Sequence, residues 1–177
     1  MRRIAVVTLL AAPILAFTAA QAQTNSGAPA SAELKSKDGA VVGAANLTDG
    51  PKGVLLRIEV KGLTPGWHGL HFHEKGDCSD AAFKSAGGHV HGDVTMVHGL
   101  LNPEGNESGD LPNLYVAEDG TGHAEIFAPY VSLKTGTART ALLDQDGSTV
   151  VIHAKADDHS TQPIGGAGDR IACGVIR

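Results

Sequence analysis

Short stretches of alternating apolar and polar residues, separated by turn residues, run through most of the chain. In residues 54–60, Val54, Leu56, Ile58 and Val60 occupy every second position. Successive side chains of a β-strand point to opposite faces, so this spacing predicts a half-buried strand whose second face meets solvent. The pattern therefore indicates a sheet with one covered face, as antiparallel sheets commonly have.

Stretches of the same kind predict further strands at residues 33–37, 40–47, 69–74, 114–117, 122–128, 139–143, 149–153 and 171–176. Turn signals separate them, among them Asp38-Gly39 and Asp119-Gly120, which are typical of hairpins. No stretch shows a 3.6-residue apolar stripe of helical length. About eight short strands with such turns predict an all-β fold, an antiparallel Greek-key β-sandwich or barrel of the immunoglobulin-like kind.

Two long irregular segments, residues 74–113 and 154–170, leave this predicted sheet. The first is rich in Gly, Asp, Asn, Pro and His and has no sustained periodicity. A loop of that length inside a compact domain is uncommon unless something other than a strand ladder orders it. A metal site or a disulfide would supply that order.

The beginning of the chain has the layout of an export signal. Two arginines precede an apolar run at residues 4–17, and small residues follow at Ala20 and Ala22. This predicts a signal peptide over residues 1–22, because the apolar run is too short to cross a bilayer. Residues 23–32 are then expected to form a flexible leader and residues 33–177 one folded domain, exported to the periplasm or beyond.

Charge and cysteine content narrow the partners and the compartment. Removing Arg2 and Arg3 takes the formal net charge from −5 to −7, which argues against nucleic acid or an anionic membrane as partner. The chain has two cysteines, Cys78 and Cys173. In an exported protein the default for such a pair is a disulfide.

The strand at residues 69–74 carries the first candidate chemistry. His71 and His73 lie two residues apart and therefore on one face, about 7 Å apart along the chain. His68 has the opposite parity, so we expect a neighbour and not a ligand. Such a pair alone also fits two surface histidines, but His153 ends another strand and can deliver a third imidazole.

Three or four imidazoles around one ion suit copper, zinc or nickel, and a flattened arrangement of nitrogens suits Cu(II). His89, His98 and Asp110 follow in the long irregular segment. Their spacing could build a second metal site there.

Several separate motifs resemble one family, the copper/zinc superoxide dismutases, in their bacterial exported form. The motifs lie in the family's order and cover essentially the whole domain: residues 69–78 (GLHFHEKGDC), 86–89 (AGGH), 109–112 (GDLP), 151–153 (VIH) and 168–176 (GDRIACGVI). The resemblance implies the Greek-key fold and a redox enzyme.

Position by position, the resemblance implies two metals and the residues around them. The implied copper ligands are His71, His73, His89 and His153, with His89 bridging to zinc, and the implied zinc ligands include His98 and Asp110. The remaining implied roles are Asp157 hydrogen-bonding ligands of both metals, Arg170 guiding the anion beside copper, and Cys78 and Cys173 forming the family disulfide. Without the motif, an ion pair of Arg170 with Asp158 or Asp169 would be the simpler reading.

One position departs from the family pattern. Glu107 stands where the family has its remaining zinc-ligand histidine. A carboxylate is an acceptable zinc ligand, so His89, His98, Glu107 and Asp110 could hold zinc with one more negative charge. The alternatives are that Glu107 points to solvent, that His91 takes the place, or that zinc is weak or absent.

The implied activity is dismutation of superoxide to dioxygen and hydrogen peroxide by redox cycling of copper, with zinc supporting the bridging histidine. The alternative is a non-catalytic periplasmic copper-binding protein on the same fold. A metal-free adhesion sandwich would leave the histidine pattern unexplained. Superoxide is the expected partner, and the chain is expected to be a monomer or a homodimer.

Overall fold

The computed structural model describes residues 28–92 and 95–177. Within them it contains strands and one short 3-10 helix at Lys84–Ala86. The strands are Ala30–Ser36 (β1), Val41–Gly50 (β2), Gly53–Val60 (β3), Gly66–His68 (β4), Leu70–His73 (β5), Leu114–Val116 (β6), Gly122–Ala128 (β7), Val131–Ser132 (β8), Thr140–Ala141 (β9), Thr149–His153 (β10) and Arg170–Val175 (β11). The all-β prediction is confirmed.

Seven strands form one antiparallel sheet in the order β5, β10, β11, β1, β2, β3, β7. The pairs β1 with β11 and β3 with β7 join strands far apart in sequence, as Greek-key connections do. A short ladder of β4 with β6 joins the two edges of this sheet, because β4 runs directly into β5 and a tight turn at residues 117–120 leads from β6 to β7. The sheet therefore curls towards a barrel.

The core lies inside this curled sheet. The large side chains with no exposed surface include Leu34, Leu47, Leu56, Phe72 and Ile152, which come from five different strands. Burying each of them contributes about 1.5–3 kcal/mol relative to exposure. The predicted alternation in residues 54–60 is realised, since Leu56, Ile58 and Val60 are buried while Arg57 and Glu59 are exposed.

The predicted hairpin turns are confirmed at two glycines. Gly39 has φ 83° and Gly120 has φ 79°, values in the left-handed region that glycine adopts without steric cost. Each follows an aspartate whose side chain accepts a backbone hydrogen bond two residues on, Ala40 N–H to Asp38 and Thr121 N–H to Asp119.

Some boundaries differ from the prediction. Residues 30–32, expected in the flexible leader, form the start of β1, because Ala30 and Ala32 are buried against the core. The predicted strand at 139–143 is reduced to Thr140–Ala141, which pairs in parallel with β8, a strand that was not predicted. The predicted signal peptide and residues 23–27 of the leader lie outside the described residues.

In the part of the chain that the structure describes, no helix is both long and apolar enough to cross a membrane.

Candidate metal centre

Four imidazoles converge beside the paired strands β5 and β10. β5 carries His71 and His73 and lies beside β10, which ends at His153. The long segment after β5 returns along it and brings His89 opposite His73. All four side chains are buried, with at most 3% of any residue exposed, and each ring offers one nitrogen within 4.8 Å of the others.

Among the described residues, one nitrogen of each of these rings is buried without a hydrogen-bond partner, namely Nδ1 of His71 and Nε2 of His73, His89 and His153. A buried polar atom left without a partner costs about 1–3 kcal/mol. Four such atoms on converging rings therefore need a common partner. Imidazole nitrogens in this number suit copper, so the residues present fit that metal.

In His71, His73 and His153 the other ring nitrogen is hydrogen-bonded to a carbonyl or carboxylate oxygen, which fixes the orientation of each ring. Nδ1 of His73 lies 3.0 Å from the Gly87 carbonyl oxygen, and Nδ1 of His153 lies 3.0 Å from that of Gly168. A carbonyl only accepts, so each of these nitrogens carries the proton and the free Nε2 carries the lone pair. Nε2 of His71 likewise donates to Oδ2 of Asp157 at 2.8 Å.

Three of these four rings, those of His71, His73 and His153, are neutral at physiological pH. Burial lowers the pKa of His71 to about 3 and that of His153 to about 4. Burial also holds the pKa of His73 well below its ordinary value. Lone pairs are therefore available for a metal without proton competition.

A second pocket adjoins the first through His89. Oε2 of Glu107 lies 2.7 Å from Nδ1 of His89 and 3.1 Å from Nδ1 of His98. Oδ1 of Asp110 lies 3.0 Å and 2.9 Å from the same two nitrogens. Four ligands at about 2.0–2.1 Å from a tetrahedral zinc ion are about 3.3 Å apart, so these four atoms fit that ion closely.

Proximity also groups His71 with His89, His98 and Asp110. The contacts favour Glu107 over His71 as the fourth member, because Nε2 of His71 is bonded to Asp157 and its Nδ1 faces the other cluster. Glu107 is 9% exposed, so its side chain does not point to solvent.

The carboxylates of this second pocket favour the protonated form of its imidazoles. Although burial opposes it, hydrogen bonds to Asp110, Asp157 and Glu107 raise the pKa of His98 to about 11. Asp110 and Glu107 also raise the pKa of His89 against the effect of burial. In turn, the two imidazoles hold the pKa values of Glu107 and Asp110 below their usual range, again against burial.

Asp157 connects the two pockets. Its Oδ2 accepts from Nε2 of His71 at 2.8 Å, and its Oδ1 accepts from Nε2 of His98 at 3.1 Å. The side chain of Asn113 clamps the backbone of Asp157, accepting from its N–H at 2.9 Å and donating to its carbonyl at 2.8 Å. A side chain at Gly165 would overlap Oδ1 of Asp157. Neither Asn113 nor Gly165 was identified from sequence.

The guanidinium of Arg170 lies beside the four imidazoles and is held by two backbone carbonyl oxygens. It donates to the Phe83 oxygen at 2.5 Å and to the Gly87 oxygen at 2.6 Å. The pKa values of His73 and His153 are lowered first by burial and then by the neighbouring His89. The positive charge of Arg170 lowers both further. The ion pairs with Asp158 or Asp169 are not formed, and the Asp169 carboxylate lies 3.7 Å from Lys37 instead.

The disulfide is formed as predicted. Cys78 bonds to Cys173 on β11, with their Cα atoms 5.9 Å apart. This bond ties the first part of the long segment to the sheet. That part carries the carbonyls of Phe83 and Gly87, which hold Arg170 and His73.

The other histidines lie outside both pockets. His68 is buried as a neighbour, as predicted, with its ring on the carbonyls of His153 and Thr64. His123 is exposed on β7, and His159 lies beside Asp157. His91 faces Glu74, so the alternative that it replaces Glu107 in the second pocket is wrong.

The curled Greek-key sheet carries two adjoining pockets, one of four imidazoles and one of two imidazoles and two carboxylates, and His89 belongs to both. This arrangement is typical of a class of dinuclear metalloproteins. Residues 41–176 match the family model described as copper/zinc superoxide dismutase. The chain belongs to this family of copper- and zinc-containing oxidoreductases.

Individual proteins of this family are similar to the chain in sequence and in structure. The Cu-Zn superoxide dismutase of Caulobacter vibrioides is 62% identical over 148 residues, which are 84% of this chain and 85% of the relative. The crystal structure of a mutant SOD-like protein from Bacillus subtilis is 40% identical, with a TM-score of 0.77 over 82% of this chain and 95% of that one. The Cu/Zn superoxide dismutase from Brucella abortus is 30% identical, with a TM-score of 0.67 over 85% of this chain and 100% of that one.

Proposed function

We propose that this chain converts superoxide to dioxygen and hydrogen peroxide. In this proposal His71, His73, His89 and His153 hold copper, while His89, His98, Glu107 and Asp110 hold zinc. The observation that carries it is the set of four buried, unpartnered nitrogens on one side of His89, with the carboxylates of the second pocket on its other side.

The balanced reaction takes two superoxide ions and two protons to one dioxygen and one hydrogen peroxide. Copper, when bound, supplies the one-electron chemistry, being reduced by the first superoxide and reoxidised by the second. The protein must then bind an anion, deliver protons and keep the rings in place. Arg170, His89 and Asp157 are placed for these three tasks.

Arg170 binds the anion. Its charge is permanent and its forked donors suit a small oxygen anion, and the carbonyls of Phe83 and Gly87 hold it beside the imidazoles. The whole chain has a formal net charge of −5, so attraction of superoxide depends on this local positive site. Field focusing in a cleft raises on-rates by about 10 to 1000-fold, and superoxide dismutases are a known example of such focusing.

His89 holds and moves a proton at Nε2. This nitrogen faces the copper pocket, while Nδ1 is held by Glu107 and Asp110 in the zinc pocket. In the first half-reaction Nε2 takes up a proton, and in the second it gives that proton to the forming peroxide. Solvent supplies the second proton.

Asp157 acts as a positioning residue for both pockets. It fixes the Nε2–H of His71, which leaves Nδ1 of that ring facing the copper position. Loss of a residue that hydrogen-bonds a metal ligand typically lowers metal affinity by about 10–100-fold.

The proposal includes export. A signal peptide over residues 1–22 would direct the chain to the periplasm, and the Cys78–Cys173 disulfide is what an oxidising compartment permits. Mass spectrometry of the protein recovered from the periplasmic fraction tests this, with a first residue near Gln23 expected.

The deciding experiment measures metal content and dismutase activity on the disulfide-bonded protein, loaded with copper alone and with copper plus zinc. Activity should require copper, and it should rise or become less pH-sensitive with one zinc per chain. His123→Gln, on the exposed face of β7, serves as a control that should behave as the unmodified protein. Tight copper binding without activity in either state would refute the proposal and leave the alternative, a copper-binding protein on the same fold.

A further inference from the structure

The backbone that holds Arg170 has an uncommon conformation at Phe83. The guanidinium of Arg170 donates to the carbonyl oxygens of Phe83 and Gly87. Phe83 has φ 56°, in the left-handed region that bulky residues rarely adopt. A residue stays in such a conformation only where its surroundings enforce it. The direction of the Phe83 carbonyl, and with it the position of Arg170, therefore depends on the groups around Phe83.

Asp80 makes hydrogen bonds on both sides of Phe83. Its backbone carbonyl accepts from the N–H of Phe83 at 2.9 Å. Its carboxylate accepts from the N–H of Ala82 at 2.9 Å and from the N–H of Ser85 at 2.5 Å. The bond from Ser85 is the main reason why the pKa of Asp80 lies well below its usual range. The side chain is therefore ionised at neutral pH, and its bonds are of the stronger, charge-assisted kind.

The same carboxylate acts on the peptide group that carries the Phe83 oxygen. The N–H of that peptide group belongs to Lys84, and it also lowers the pKa of Asp80. The N–H and the C=O of a planar trans peptide point in opposite directions. A carboxylate on the N–H side therefore turns the Phe83 oxygen to the other side, where the guanidinium of Arg170 lies.

The ring of Phe83 anchors this turn from within. The residue is 4% exposed and belongs to a small apolar cluster with Ala86, Val151 and Cys173. This packing fixes the side chain but not the rotation of the peptide group that follows it. The hydrogen bonds of Asp80 supply that second constraint.

The charge of Asp80 has an effect of its own on Arg170. Burial lowers the pKa of Arg170, and the negative charge of Asp80 opposes that change. The two charges therefore interact, and the fields of opposite charges partly cancel. An anion that approaches Arg170 is attracted less than it would be without Asp80.

We propose that Asp80 is a positioning residue for Arg170, because its hydrogen bonds direct the Phe83 carbonyl to the guanidinium while its charge limits the attraction of anions. The positioning stands on the contacts alone, whereas the effect on turnover rests on the proposed function. Asparagine separates the two effects. It keeps an acceptor oxygen and caps a turn about as well as aspartate does, but it has no charge.

Positioning is measured on the disulfide-bonded, metal-loaded protein with its copper reduced to Cu(I), which is diamagnetic. NMR follows how fast the guanidinium protons of Arg170 exchange with solvent. Asp80→Ala should make this exchange several-fold faster, because the carbonyl acceptor is no longer held. Asp80→Asn should restore most of the protection. Glu59→Gln, on the exposed face of β3, removes the same charge elsewhere and should match the unmodified protein.

The effect on turnover is measured as kcat/KM by stopped flow at several ionic strengths. Asp80→Ala and Asp80→Asn both lack the charge, so the ratio of their kcat/KM values isolates the hydrogen bonds. We expect Asp80→Ala to lie several-fold below Asp80→Asn and to have a flatter salt dependence, which a loss of stability alone would not cause. At low salt, Asp80→Asn should exceed Glu59→Gln, since salt screens the local charge.

The outcomes separate the parts of the proposal. Equal proton exchange in Asp80→Ala and Asp80→Asn would overturn the positioning role. Equal kcat/KM of Asp80→Asn and Glu59→Gln at low salt would overturn the effect of the charge. Faster exchange in Asp80→Ala, in a protein whose unmodified form has no dismutase activity, would overturn the proposed function and support the positioning.

Discussion

Replacing Glu107 with glutamine removes one negative charge from the centre of the proposed zinc pocket. Oε2 of Glu107 contacts the Nδ1 atoms of His89 and His98 at 2.7 Å and 3.1 Å. Glutamine keeps the size of the side chain but offers a neutral oxygen, and its amide group is a donor that cannot bind zinc. We therefore expect zinc affinity to fall by more than the ~10–100-fold that loss of an outer partner costs.

The same change should also destabilise the metal-free protein. Hydrogen bonds to charged groups contribute about 1.5–3 kcal/mol and neutral ones about 0.5–1.5 kcal/mol. The change removes the acceptor's charge from both bonds, which together lose at most about 2–3 kcal/mol, and relief of repulsion with Asp110 reduces this loss. Urea unfolding of the metal-free form measures this difference.

The assay is zinc binding by chelator competition on the copper-loaded protein, with copper affinity measured in parallel. Copper affinity should change much less, because the unpartnered Nε2 of His89 lies on the other edge of the ring. Glu104→Gln, an exposed position on the same segment, is the matched control, and Glu107→His should keep zinc because it supplies a nitrogen ligand. Zinc affinity of Glu107→Gln equal to that of Glu104→Gln would refute the assignment of Glu107 as a ligand.

Three further predictions concern the anion, the protons and the disulfide. Arg170→Gln should lower kcat/KM by about 10-fold or more, because the guiding charge is lost, and should flatten its dependence on ionic strength in stopped-flow assays; an unchanged salt dependence would contradict the role. Because carboxylates raise the pKa of His98 to about 11, zinc must displace a proton from this ring at pH 7. Calorimetry in buffers of different ionisation enthalpy should show at least one proton released per zinc, and affinity should rise about tenfold per pH unit for each proton; no release would contradict the protonated pocket. Replacing Cys78 and Cys173 together by serine should lower the free energy of unfolding by up to about 4.7 kcal/mol, since the bridge closes a loop of 95 residues. Denaturant unfolding with zinc and copper removed checks this.

The sequence predicted the strands whose side-chain alternation is long enough to be visible. Residues 54–60 and 122–128 have that alternation, and both strands are observed within a residue of the prediction. The strands β8 and β9 have two residues each, which is too short for any period. Ala30 and Ala32 gave no apolar signal because alanine is small, yet both fill space under the sheet.

The centre was predictable in its residue types and less so in its arrangement. The spacing of His71 and His73 follows from strand geometry, whereas the nitrogen that each ring presents is set by distant groups. Asp157 turns Nδ1 of His71 inwards, and the Gly87 carbonyl turns Nε2 of His73 inwards. The clamp from Asn113 onto a backbone 44 residues away has no local signature, so only the folded structure reveals it.

The bridge that Asp157 makes between His71 and His98 has a thermodynamic consequence. If the proposed metals occupy the two pockets, this carboxylate and the shared ring of His89 couple their occupancies. Such coupling is reciprocal, so the factor by which zinc tightens copper binding must equal the factor by which copper tightens zinc binding. Scarcity of zinc would therefore loosen the hold on copper by that same factor, and the amount of bound copper would depend on the supply of zinc.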